Sequence, residues 1–289
     1  MSGADPARQQ RSYGSRGSEL ALRVASALVL VPLAIATAYV GGWPFVVFWG
    51  VAALGVFWEW TALVTGADRR SILLVGGASV ALSLLLLVGG YRLAAAAVLA
   101  IGTLGAAALA PAQRRGWAAA GVPYAGALAI APVVLRSDRD DGFSAIILLF
   151  AIVWATDIAA YFAGRAIGGP KLMPLVSPKK TWSGAIGGAF AALVVALAVA
   201  KIVGGTSALA GWLAIAALAV ILSVIAQAGD LFESFLKRRF GAKDSSHLIP
   251  GHGGLMDRLD GFVTASVVAA LIGLLRGGFE VPGRGLLVW

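Results

Sequence analysis

Leu209–Asp230 reads LAGWLAIAALAVILSVIAQAGD, with no charged side chain before the closing aspartate. A run of this kind matches the roughly 20 apolar residues that a helix needs to cross a bilayer. It lacks the alternation of a barrel strand, and backbone groups in hydrocarbon must be paired internally, so the stretch predicts a transmembrane helix. Working outward, comparable runs stand at Leu20–Val40, Pro44–Val64, Ile72–Val88, Leu93–Ala110, Trp117–Leu135, Phe143–Ala163, Trp182–Val203 and Phe262–Leu275, the last of them short. The expected fold is therefore all-α, a polytopic integral membrane bundle of about nine transmembrane helices.

Composition agrees. With 59% hydrophobic and 13% charged residues, the chain cannot be a soluble globular mixture, and lipid is its solvent. The absence of cysteine removes disulfides, thiolate zinc sites, iron–sulfur clusters and thiol nucleophiles. A net charge of +9 reads as topology and headgroup contact rather than nucleic-acid binding, and no nucleic-acid partner is expected.

The distribution of that charge tests the spans. With the N-terminus inside, 17 of the 23 Lys and Arg residues fall on inner segments; Arg92, Arg136, Arg139, Lys201, Arg276 and Arg284 fall outside. Dropping one span would scramble this partition. The reading is a multi-pass protein of the inner (plasma) membrane with its chemistry facing the cytosol. Residues 1–19 read as a disordered basic tail, 20–141 as an N-terminal scaffold of about five helices, and 142–289 as a catalytic region of about four. The first span is taken as retained; cleavage after Ala36-Thr37-Ala38 is the alternative.

Two connections are long, 164–181 and 231–260, and both are expected to be cytosolic loops. Together they hold five of the six lysines and both histidines. Asp157 lies within the sixth span and Asp230 closes the eighth; acids so placed normally face a polar cavity and have a partner. Asp257 and Asp260 are three apart, on one face of the helix that begins the ninth span. Their bland reading is N-terminal charge capping, which accounts for one acid better than for two. If Asp230 joins them, three carboxylates repel unless a cation compensates, and oxygen ligands without thiolate favour magnesium.

Ser177-Pro178-Lys179-Lys180-Thr181 precedes the seventh span, where a helix N-terminus and two point charges suit an anion; positive-inside anchoring fits it equally. In Pro250-Gly251-His252-Gly253-Gly254 the glycines permit close backbone approach to a ligand. His252 is a candidate contact for phosphate or base, and His247 is read as incidental. Glu59 is either a functional carboxylate or an interfacial residue beside Trp58 and Trp60.

Read together, Ser234-Phe235-Leu236-Lys237-Arg238, Lys243-Asp244-Ser245-Ser246 and the segment from Leu248 to Asp260 (LIPGHGGLMDRLD) closely resemble the phosphatidate cytidylyltransferase (CDP-diacylglycerol synthase) family. Asp157–Arg165 and Ser177–Gly188 also look like family segments, and Ser246 departs from the glycine common there. The resemblance implies condensation of CTP with phosphatidic acid to CDP-diacylglycerol and pyrophosphate, with magnesium, a potassium ion possible beside it, and a homodimer. It implies Asp230, Asp257 and Asp260 at the metal, and Asp257, Asp260 and Lys237 as catalytic. The expected substrate contacts are Ser177, Lys179, Lys180, Thr181, Ser234, Arg238, Lys243, Asp244, His252, Gly253, Gly254 and Arg258, with Asp157 as an additional candidate. Rival readings are a CTP-dependent kinase of a polyprenol or other lipid alcohol, and a secondary transporter. The acids gather toward one edge and the two halves differ in polarity, which speaks against the transporter.

Overall fold

The computed structural model describes residues 28–66, 69–204, 208–246 and 253–289. Ten α-helices follow in order among them: α1 (Leu28–Val40), α2 (Gly42–Thr65), α3 (Arg70–Val88), α4 (Arg92–Leu109), α5 (Arg115–Arg136), α6 (Gly142–Ile167), α7 (Trp182–Val203), α8 (Leu209–Arg239), α9 (Met256–Gly277) and α10 (Pro282–Leu287). A 3-10 turn, Ala112–Arg114, leads into α5. The protein is an all-α membrane protein: eight described helices, α2 to α9 with that turn joined to α5, are long and apolar enough to cross a bilayer. Only Leu28–Val40 of the first expected span is described, and the basic tail lies outside the described residues.

Small residues set the closest helix crossings, as membrane helices without a hydrophobic drive between them require. The buried residues of α7 are Gly184, Gly188, Ala192, Ala196 and Ala200, a strip with a spacing of four that faces the bundle. A Cβ at Gly184 would lie 2.7 Å from the Ala160 carbonyl oxygen, and one at Gly188 would lie 2.8 Å from that of Thr156, so α6 and α7 touch backbone to backbone. Ile186 and Phe190, on the outward face of α7, are exposed to the lipid side. The α8–α9 crossing is equally close at Gly229 and Gly261. An aromatic seam, with Trp49 stacked on Phe262 at 4.6 Å, joins the first half of the bundle to α9.

The two expected long loops are shorter than the sequence suggested. α8 does not end at Asp230 but runs on to Arg239, because Leu236 is buried and Glu233 and Lys237 form an i,i+4 ion pair. α9 starts at Met256, so the short last run is a full span of 22 residues. Within 164–181, α6 continues to Ile167, and a two-stranded hairpin, β1 (Lys171–Met173) and β2 (Ser177–Thr181), pairs antiparallel with a bulge.

Alternating helices separate two ends of the bundle. At one, Arg114 reaches the Val64 carbonyl and Lys180 reaches Asp230. At the other, Arg136 Nε donates to the Ala38 carbonyl at 2.5 Å, and buried Asp138 accepts from the Asp140, Asp141 and Arg284 amides at 3.1, 3.1 and 2.8 Å. The bond from the Arg284 amide ties the short α10 back onto the bundle.

Candidate active site

A cavity of about 1600 Å³ opens at the first end. One part of its wall is apolar, with Leu30, Val31, Val47, Phe48, Val51, Phe150 and Trp154 supplied by α1, α2 and α6. The rest is charged. Among the described residues six acids (Asp157, Asp230, Glu233, Asp244, Asp257, Asp260) and six bases (Arg165, Lys171, Lys179, Lys180, Lys237, Arg258) line it.

The acids divide into two groups. Asp230 leaves α8 one residue after Gly229, where a Cβ would lie 2.6 Å from the Asp260 carbonyl oxygen; the close crossing therefore brings Asp230 and Asp260 together. Asp157 on α6 is near enough for its charge to interact with both, and Lys180 and Arg258 are the compensating cations. Lys180 forms an ion pair with Asp230, and Asp260 Oδ1 accepts from the Gly261 amide at 2.7 Å.

Asp257 belongs to the other group. Its Oδ1 meets Lys237 Nζ at 2.5 Å, and its Oδ2 accepts from the Ser245 amide at 3.1 Å, Ser245 Oγ at 2.9 Å and the Gly254 amide at 2.8 Å. Lys237 is shared with Glu233 at 2.7 Å, so one ammonium stands between two carboxylates. The second oxygen of Glu233 is buried without a hydrogen-bond partner.

Of the expected site residues, Asp157, Lys179, Lys180, Thr181, Asp230, Lys237, Asp244, Asp257, Arg258 and Asp260 line the cavity; Ser177, Ser234, Arg238, Lys243, Gly253 and Gly254 do not. His252 lies outside the described residues. Thr181 caps α7, its Oγ1 accepting from the Gly184 amide at 3.2 Å. The glycine pair serves the protein's own acids: Gly253 has a positive φ of 83°, and a Cβ on Gly254 would lie 2.8 Å from the Glu59 carboxylate. Glu59 is fully buried rather than interfacial.

Sequence reasoning did not single out Glu233, Arg165 or Lys171. Glu233 falls in a segment read as loop; once that segment is helical, it lies one turn before Lys237 and about one turn after Asp230, which was the available signal. Lys171 entered only the charge distribution and Arg165 that and the end of the segment Asp157–Arg165; the hairpin is what swings Lys171 to the cavity.

Among the described residues no three acidic or imidazole groups converge into a closed metal cage. The donor set still fits a magnesium ion, which commonly takes only one or two carboxylates and completes its shell with water and substrate phosphate. Asp230 and Asp260 offer such a pair, whereas both oxygens of Asp257 are already engaged.

The sequence profile of the cytidylyltransferase family matches residues 21–275. The phosphatidate cytidylyltransferase of Brucella suis biovar 1 is 46% identical over 268 residues, which is 92% of this chain and 97% of that protein. That of Staphylococcus saprophyticus is 44% identical over 129 residues, 45% of this chain and 48% of its own length. A family profile spanning nearly all the helices, and a relative aligned almost from end to end, leave one conclusion: the chain belongs to the cytidylyltransferase family.

Proposed function

We propose that the protein is a phosphatidate cytidylyltransferase, condensing CTP with phosphatidic acid to CDP-diacylglycerol and pyrophosphate for phospholipid synthesis. The observation that carries this reading is a single cavity whose wall is apolar along α1, α2 and α6 and charged at the ends of α6 to α9. A substrate with acyl chains and a phosphate fits that division, and a soluble nucleotide can reach only the charged part.

In the reaction an oxygen of the phosphatidate phosphate attacks the α-phosphorus of CTP; that P–O bond forms as the bond to the β-phosphate oxygen breaks, and pyrophosphate leaves in line. The attacking phosphate is already anionic, so no protein nucleophile is needed and the work is positioning and charge neutralisation. Lys179, Lys180 and Arg258 bind and orient the phosphates from the hairpin and from α9. Lys237 contributes its charge from a fixed position between Glu233 and Asp257. The apolar wall holds the diacylglycerol part and keeps water from the reacting end.

Among the described residues the acids and bases around the cavity are equal in number, so these side chains alone leave the negative charge of two phosphate substrates uncompensated. A magnesium ion held by Asp230 and Asp260, with Asp257 orienting the basic residues around it, would supply that compensation and polarise the phosphate oxygens. The site faces the cytosol in this reading, since CTP is there and the sequence gathers 17 cations on that side.

The test is purified protein in detergent with radiolabelled CTP and magnesium, with and without phosphatidate. Pyrophosphate and labelled CDP-diacylglycerol are expected only when phosphatidate is present. Release of CDP with a phosphorylated lipid alcohol would replace this reading with a lipid kinase.

A further inference from the structure

Glu59 lies on α2, in the half of the chain that the sequence assigns to scaffold, and it is fully buried. Its carboxylate takes four hydrogen bonds, three from the α8–α9 connection and one from the first residue of α9: Ser245 Oγ at 3.2 Å, Ser246 Oγ at 2.5 Å, the Leu255 amide at 2.7 Å and the Met256 amide at 2.6 Å. These donors come from the middle of the connection and from its junction with α9, so one acid holds Ser245 and Ser246 against the entry to α9. The two amides are of the kind a helix leaves unpaired at its start, where negative charge is favoured. No local side chain caps α9, and Glu59 supplies from a distant helix an acceptor for its first two amides.

The contacts continue to the cavity. Ser245 Oγ is 3.2 Å from Glu59 and 2.9 Å from Asp257, and its amide also donates to Asp257. A hydroxyl has one proton and serves one carboxylate at a time. With three other donors on Glu59, Ser245 is free to turn its proton to Asp257. Asp257 in turn holds Lys237 at 2.5 Å. Glu59 thus stands behind the residues that line the charged chamber without lining it itself.

We propose that Glu59 is a positioning residue for cytidylyl transfer: by clamping Ser245 and Ser246 to the start of α9 it fixes Asp257 and Lys237 in register with the other cavity residues. The proposal rests on the activity proposed above, and its test has one readout that does not depend on turnover.

Glu59→Gln keeps the shape but turns an amide NH₂ toward groups that are themselves donors. Hydrogen exchange of one of the two amides, Leu255 or Met256, is expected to speed up in detergent by at least about tenfold, since each is held by a different carboxylate oxygen and the glutamine keeps only one acceptor. Turnover is expected to show a kcat lower by about 10- to 100-fold, a loss typical of slight misplacement, with the KM for CTP changed much less. Glu59→Asp should restore part of kcat, and Ser245→Ala should lower kcat in the same sense. Wild-type kcat in Glu59→Gln with either amide deprotected would overturn the proposal. So would a loss of kcat with both amides protected as in the wild type. If Glu59→Gln does not fold, Glu59→Asp, which keeps the charge but draws it back from the two amides, is read by the same pair of measurements. A wild-type protein without turnover would sink the activity reading and the positioning role with it, while exchange would separately keep or remove the clamp.

Discussion

Asp230, Asp257 and Asp260 share one chamber but not one task. Asp257 is saturated by Lys237, Ser245 and Gly254, whereas Asp230 and Asp260 face each other across a helix crossing with Lys180 beside them. Under the proposed chemistry, Asp230→Asn and Asp260→Asn should each lower kcat by at least about 100-fold, and raising magnesium should not restore it. Near-normal turnover in both, measured with saturating CTP, would remove the metal assignment. Asp257→Asn should be as damaging for a different reason: it unseats Lys237, which then faces Glu233 alone. Asp230 was legible as the charge that closes an apolar run, and Asp257 and Asp260 as a pair on one helix face. Their division into a facing pair and a saturated member was not, because the donors that saturate Asp257 lie on the connection and on another helix.

Glycine positions in the helices decide which side chains meet. At Gly229 a Cβ would press on the Asp260 carbonyl at 2.6 Å, and at Gly188 on the Thr156 carbonyl at 2.8 Å. Gly229→Val should therefore destabilise the protein by about 1–3 kcal/mol through overpacking, seen as a lower midpoint of thermal unfolding in detergent, and should weaken turnover by separating Asp230 from Asp260. Unchanged stability together with unchanged activity would mean that α8 and α9 do not cross so closely. Most of the span positions were legible from hydropathy. The extension of α8 by nine residues past Asp230 was not, since its polar residues resemble a loop until Leu236 is seen buried and Glu233 is seen paired with Lys237.

At the scale of the whole molecule, the two ends differ in chemistry: one carries the charged cavity, the other a tie between Asp138 and the amide of Arg284. Because the chain has no cysteine, single cysteines report sidedness directly. A membrane-impermeant maleimide added outside intact cells should label Arg139→Cys and spare Lys179→Cys, and inverted vesicles should reverse the pattern. Labelling of both from one side would refute the topology. Arg92, which packs its guanidinium on the Phe279 ring 3.9 Å away, belongs to the far end. Arg92→Ala should keep kcat within about twofold of wild type in the CTP assay, as surface changes remote from a site usually do. A loss equal to that of Lys237→Ala would contradict the separation of the two ends.

Hydrocarbon is a harsh solvent with a fixed thickness, so sequence alone determined that the chain is helical, where nearly every span lies and which acids stand in apolar surroundings without a nearby counter-charge. The motif from Ser234 to Asp260 also carried the family by itself. Which charges face one another was decided only by the tertiary structure, because that depends on where helices distant in sequence cross. Glu59 shows the reason most plainly: its four donors stand 186 or more residues along the chain, and no local pattern records a bond that forms only when α2 packs beneath the α8–α9 connection.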